Sequence, residues 1–204
     1  MIIWVNGTYS VGKTTVAKKI AARFGSEAEL LESDYYCNET LKKIVEEAES
    51  THSLPHIGGC LPQNNMRFIQ EFKELIKEKS KDTNKKLIID MALTRMECKE
   101  NLFDCLQREG KDIVHIILTA DKETIKERIK KDTNRMKDIA LEWMVDNIEF
   151  LDSNYPDAIR INTNKCDIDD IVDEIIEIIQ SKPSCAGGRR TSHPAKVWRR
   201  IWHP

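Results

Sequence analysis

Gly7-Thr8-Tyr9-Ser10-Val11-Gly12-Lys13-Thr14, near the start of the chain, has the spacing G-x(4)-G-K-[ST]. Glycines at the two fixed positions permit a turn too tight for side chains, so that successive backbone N–H groups point inward at phosphate oxygens. The helix expected after the loop adds the positive end of its dipole, and Thr15 belongs to the same phosphate-binding run. The Lys13 ammonium is placed to reach a β- or γ-phosphate, and the Thr14 hydroxyl to ligate Mg2+. ATP and Mg2+ are therefore the expected cofactors.

In an open α/β sheet, ligands bind beyond the carboxyl ends of the strands, which directs attention to residues that follow them. Asp34 follows the second expected strand, where a carboxylate faces the γ-phosphate and can take the proton of an attacking hydroxyl; a helix cap is its plainer alternative. Asp90 ends the apolar run Leu87-Ile88-Ile89, the pattern in which a carboxylate joins the Thr14 hydroxyl in holding Mg2+. Arg128 lies on the helix after the fourth strand and is assigned to the charge that develops on the transferred phosphoryl group. Arg135 and Lys137 fall in the charged break Lys130 to Asp138, read as a short basic lid over the triphosphate. Arg67 and Arg95 are substrate-side candidates. His52 and His56 lie in a loop that would line an acceptor pocket, whereas His115, inside a strand, reads as a core residue. Met91, Met96, Met136 and Met144 read as core filler.

These residues need a frame of strands and helices to converge. Ile2 to Asn6, Glu29 to Glu32, Leu87 to Ile89, Ile113 to Leu118 and Ala158 to Ile161 read as strands. Lys13 to Phe24, Glu39 to Ala48, Asn64 to Lys79, Glu97 to Arg108, Lys122 to Lys131, Ile139 to Leu151 and Ile168 to Ile179 read as helices. His52 to Pro62, with two prolines and Gly58-Gly59, reads as a loop. Strands separated by long helices predict a five-stranded parallel sheet in a three-layer α/β/α sandwich of the P-loop NTPase, nucleotide-kinase-like type.

The 204 residues suffice for one such domain, placed at 1–182. Residues 183–204 form a tail with five Lys/Arg and no acid, which leaves 27 basic against 34 acidic residues, a net charge of −7, in the domain. An acidic body is a poor binder of nucleic acid, and a small-molecule acceptor is the expected partner. The tail, which holds Trp198 and Trp202, is read as unstructured or vector-encoded, with weak contact to a membrane surface as its second reading. No apolar run approaches the length of a membrane span, and Met1 to Val5 lacks a basic leader, so a cytoplasmic monomer or homodimer is expected. Six cysteines without paired metal-ligand spacing predict reduced thiols rather than a zinc cage.

The opening Ile2-Ile3-Trp4-Val5-Asn6-Gly7, followed by Gly12-Lys13-Thr14, resembles the start of the tunicamycin-resistance-type ATP-binding proteins within the P-loop kinases. Ile113-Val114-His115, Lys122-Glu123-Thr124 with Arg128, and Ile161-Asn162-Thr163-Asn164 extend the likeness over residues 1 to 180. The resemblance implies that Ile161 to Asn164, and with them Asn162, Thr163 and Asn164, lie beside the adenine. It also implies that Asp34 matches the acid that related antibiotic phosphotransferases use as base. In that family the acid is usually followed by Pro-Glu; here Tyr35-Tyr36 follow.

Together these readings predict an ATP-dependent small-molecule kinase that phosphorylates a hydroxyl of an antibiotic or nucleoside-like compound. Two others stand beside it. A nucleotide or nucleoside kinase would place a nucleobase around Arg67 and Phe68; a resistance protein would sequester a drug without transferring phosphate.

Overall fold

The computed structural model describes residues 1–57, 61–133, 137–164 and 167–181. Strands β1 (Ile2–Asn6), β2 (Ala28–Glu32), β3 (Lys86–Asp90), β4 (Ile113–Thr119) and β5 (Ile159–Asn162) form one sheet in the order β2-β3-β1-β4-β5, with every pairing parallel. Helices α1 (Lys13–Phe24), α2 (Ser33–Ser50), α3 (Met66–Lys79), α4 (Met96–Cys98), α5 (Asp104–Arg108), α6 (Lys122–Lys131), α7 (Lys137–Asn154) and α8 (Ile168–Ser181) flank it. The expected three-layer sandwich is thus present.

Side chains along β1 alternate between two cores. Ile2 and Trp4 join Phe68, Phe72, Leu87, Ile89, Leu102 and Phe103 on one face. Ile3 and Val5 join Val16, Ile20, Ile88, Val114, Ile116 and Ile175 on the other. With both faces covered, β1 and β3 read as nearly continuous apolar runs, as buried parallel strands do, whereas the edge strands β2 and β5 carry Glu29, Glu32 and Arg160. Trp4, wholly buried, keeps its indole satisfied by donating from Nε1 to the Met91 carbonyl at 3.1 Å, which also ties β1 to the segment after β3.

Two elements differ from the sequence expectation. Helix α2 begins at Ser33, directly after β2, and not at Glu39, because Cys37 is buried and Tyr36 lies tilted against Phe72, centroids 5.7 Å apart. The helix expected over Glu97 to Arg108 contains a π-helical turn, Lys99–Phe103, between α4 and α5. That turn sets Phe103 edge-on to Trp4 at 5.3 Å and tilted against His115 at 4.6 Å. Met91 and Met144 are core residues as expected, whereas Met96 is exposed. Met136, the Gly58-Gly59 pair and the tail 183–204 lie outside the described residues.

Candidate active site

Gly7 to Gly12 links β1 to α1 in a loop whose glycines are dictated by geometry. Gly7 has φ 146°, and a Cβ there would meet Val11 Cγ2 at 2.7 Å and the Leu118 carbonyl oxygen at 2.8 Å. Gly12 takes the left-handed conformation, φ 98°, and its carbonyl accepts from Val16 N at 3.0 Å as α1 begins. The hydroxyls of Thr8 and Ser10 are buried without a hydrogen-bond partner. Such orphaned donors suit incoming phosphate oxygens. Val11 is buried in the core beside the loop, and Thr15 is exposed in the first turn of α1.

Lys13 Nζ donates to the Thr8 carbonyl at 2.8 Å, which folds the ammonium back over the loop. Thr14 Oγ1 donates to Asp90 Oδ2 at 2.6 Å, joining the start of α1 to the end of β3 across the sheet. Burial pushes the Asp90 carboxyl up from its ordinary range, and the Asp34 and Glu32 charges push the same way. Lys13 and the Thr14 hydrogen bond oppose that shift and favour the anion. A hydroxyl and a carboxylate in contact, both hard oxygen donors, fit Mg2+, which takes few protein ligands and keeps water and phosphate oxygens for the rest.

A cavity of about 130 Å³ opens beside the loop, lined by Thr8, Tyr9, Lys13, Thr14, Ser33, Asp34, Asp90, Met91 and Ala92. Leu61, Pro62, Gln63 and Asn147 complete its wall. The structure therefore brings Lys13, Thr14, Asp34 and Asp90 together, although they are up to 77 positions apart in sequence. Asp34 sits in the first turn of α2, so its carboxylate meets both the cavity and the positive end of that helix.

Beneath the loop, Asn6 acts as a junction. Its Oδ1 accepts from Gly7 N at 2.7 Å and from Leu93 N at 2.9 Å. With that oxygen taken, Nδ2 is the donor to His115 Nε2 at 3.0 Å, which leaves the imidazole neutral with its proton on Nδ1. Burial, and secondarily the Arg160 charge, push the His115 pKa down to about 3. His115 is a half-buried structural residue, packed against Phe103 and Tyr155 and away from the cavity lining, close to the core role that the sequence suggested.

The remaining candidates are placed at different parts of the molecule. Arg128 donates from Nη1 to Thr163 Oγ1 at 3.0 Å and from Nη2 to the Thr163 carbonyl at 2.7 Å, so it braces the segment after β5. Thr163 is itself tied to the Thr119 carbonyl, and Asn164 Oδ1 accepts from Asp121 N at 3.0 Å while Asn164 N donates to Asn162 Oδ1. Arg128 and Asn162 to Asn164 thus form one bracket at the ends of β4 and β5. Lys137 donates to the Lys130 carbonyl, and Arg135 lies outside the described residues.

Arg67 is not brought to the cavity. Two hydrogen bonds to Glu47, at 2.6 and 2.7 Å, and one to Glu71 at 2.8 Å consume its guanidinium between α2 and α3, and raise its pKa further above the ordinary value. His56 lines a separate groove beside Arg67. Arg95, in the segment after β3, reaches the cavity wall through Asn147. Asn147 and Gln63 are wall residues that the sequence reading missed. A buried asparagine three residues after Met144 and four before Leu151, on the inward face of α7, was the available signal.

The AAA domain family model matches residues 2–151. Among curated proteins no significant sequence match was found. Among solved structures, the chain is similar to the Deinococcus radiodurans tunicamycin resistance protein, with TM-score 0.68 and 20% identity over 87% of this chain and 94% of that one. It is also similar to a shikimate kinase from Bacteroides thetaiotaomicron, TM-score 0.56, 17% identity, covering 88% and 98% of the two chains. A gluconokinase from Sinorhizobium meliloti 1021 gives TM-score 0.56 and 13% identity over 88% and 97%. At these identities the likeness speaks for the fold, that of P-loop small-molecule kinases. Among the described residues no helix is long and apolar enough to cross a membrane. With a phosphate-binding loop in that fold and a family match over 150 of its 204 residues, the chain belongs to the AAA domain family of P-loop proteins.

Proposed function

We propose that the protein is an ATP-dependent phosphotransferase that passes the γ-phosphoryl group to a hydroxyl of a small molecule. The observation that carries this reading is the shared cavity: Lys13, Thr14 and Asp90 on one wall, Asp34 on another, and room between them for an acceptor group. The Asp34 carboxylate takes the hydroxyl proton as the oxygen attacks the γ-phosphorus, and the bond from that phosphorus to the bridging oxygen breaks to release ADP. Lys13 and the loop N–H groups stabilise the charge that spreads over the equatorial oxygens. Thr14 and Asp90 are the residues that would hold Mg2+, whose charge neutralises the β- and γ-phosphoryl oxygens when bound.

Arg128 and the Asn162 to Asn164 bracket are assigned to the nucleotide, with Arg128 acting through Thr163. The similarity to a tunicamycin resistance protein makes a hydroxyl-bearing antibiotic one candidate acceptor, and the similarity to shikimate kinase and gluconokinase makes small hydroxy acids another.

Incubation with ATP and Mg2+ across a panel of antibiotics, nucleosides and hydroxy acids, read by mass spectrometry, tests the proposal. An acceptor that gains one phosphoryl mass with the wild type but not with Lys13→Ala supports it. Mg2+-dependent ATP binding with no transfer to any panel member favours sequestration.

A further inference from the structure

Arg95 is held in an arrangement that leaves its charge unanswered. Its Nη1 donates to the Thr94 carbonyl at 2.9 Å and to Asn147 Oδ1 at 3.2 Å, and its guanidinium carbon lies 4.9 Å from the centre of the Trp143 ring. The cation–π contact with an indole and the anchoring through one nitrogen hold the guanidinium in place. Nε and Nη2 then have no acceptor, and no carboxylate pairs with Arg95 among the described residues. Arg23, Arg67 and Arg160 are each matched by Asp or Glu.

The support beneath Arg95 is also built. Asn147 is 2% exposed, spends its oxygen on Arg95 and lines the cavity, while its amide nitrogen has no acceptor among the described residues. Gln63 Oε1 accepts from both Thr94 N at 3.0 Å and Thr94 Oγ1 at 2.5 Å, which fixes the backbone from which Arg95 projects. An exposed arginine that merely solvates a surface needs neither a buried amide nor a clamped backbone.

We infer that the acceptor carries, besides its reactive hydroxyl, an oxyanionic group that is received at the rim of the cavity by Arg95 and the Asn147 amide. The inference rests on reading the cavity as the acceptor site. Lys13 serves the triphosphate, and Asp34 and Asp90 make the cavity itself acidic, so an anionic acceptor requires a second fixed cation on its own side. Arg95 supplies it in the bidentate geometry that suits a carboxylate or a phosphate monoester.

Binding is measured by calorimetry with Mg2+ and a non-hydrolysable ATP analogue, using matched pairs. Short-chain hydroxycarboxylic acids are compared with their amides, and polyol phosphate monoesters with the parent polyols, so that the two arms separate carboxylate from phosphate. The charged member of at least one pair type is expected to bind about 10-fold tighter or more. Arg95→Ala should erase the preference without changing affinity for the analogue, and Arg95→Lys should restore only part of it. Asn147→Asp, which puts a carboxylate of nearly the same shape on Arg95, should erase it too and serves if Arg95→Ala folds poorly. Equal binding of charged and neutral partners, or no Arg95-dependent binding anywhere in the panel, overturns the inference. Arg95-dependent anion binding without any ADP formation would leave it standing and remove the kinase reading. Phosphorylation of a neutral acceptor at an unchanged rate in Arg95→Ala would do the reverse.

Discussion

The two halves of the cleft are made in different ways. The phosphate half is nine consecutive residues, Gly7 to Thr15, whose shape follows from two glycines, a strand before them and a helix after them. The half read as the acceptor site is gathered from four segments: Asp34 on α2, Leu61 to Gln63, Met91 to Arg95, and Trp143 with Asn147 on α7. A local device can be carried unchanged between proteins, because its geometry depends on little else. A composite wall changes whenever any contributing loop changes, so substrate choice can drift there while the grip on phosphate stays constant.

If the halves are separable, variants should divide them cleanly. The largest effect is expected from Asp34→Asn: kcat should fall about 10²- to 10⁴-fold while ATP affinity, read by fluorescence titration, stays within error of the wild type. A matched loss of ATP affinity would mean that Asp34 belongs to the nucleotide side. Lys13→Ala should cost about 10²- to 10³-fold in kcat and weaken nucleotide binding as well.

Gly7→Ala should strike the phosphate half and the fold at once, since the new methyl would press on the Leu118 carbonyl. A loss on the order of 1 to 3 kcal/mol in urea unfolding, together with loss of ATP binding, is expected. Retained nucleotide affinity would show the loop to be more pliable than its geometry implies.

His115 connects the halves from below through Asn6 and gives a pH signature. Its folded pKa is depressed, so the unfolded chain takes up a proton near pH 6.5 that the folded protein refuses until about pH 3. Stability should therefore fall as pH drops through that window, with a slope approaching about 1.4 kcal/mol per pH unit from this group. His115→Gln, which can still accept from Asn6 Nδ2, should flatten the slope in denaturant titrations at pH 4 to 7.

The smallest effect is expected at Arg67. Arg67→Ala should leave kcat and KM unchanged and cost on the order of 1 kcal/mol or less, because its ion pairs to Glu47 and Glu71 are partly open to solvent. A large rise in KM for the acceptor would return it to the site.

The same division governs what the sequence discloses. The loop, the five strands and the partnership of Thr14 with Asp90 follow from short-range pattern: fixed spacing, apolar runs, an acid at a strand end. The start of α2 does not, because Ser33 to Asn38 has weak helix formers and two adjacent tyrosines, and only packing of Tyr36 and Cys37 against the core makes it helical. Gln63 is invisible to pattern because it matters through one distant partner, and Asn147 shows only as a polar residue on the apolar stripe of α7, with nothing in the pattern to name Arg95 as its partner. Arg67 and Arg95 look alike in sequence, and tertiary structure separates them: two glutamates pair with the first and, among the described residues, no carboxylate pairs with the second.

The position of β1 has a consequence for how the chain comes to be folded. Of the five strands it is the earliest in sequence and lies at the centre of the sheet, and its neighbours are residues 86–90 and 113–119. More than 100 further residues must leave the ribosome before the strand preceding the nucleotide loop is flanked on both sides. Until then β1 presents an unpaired edge and the loop has no Leu118 carbonyl to rest against. Nascent chains arrested before residue 113 are thus expected to bind no ATP and to be candidates for chaperone capture, with ATP binding gained only after β4 has emerged.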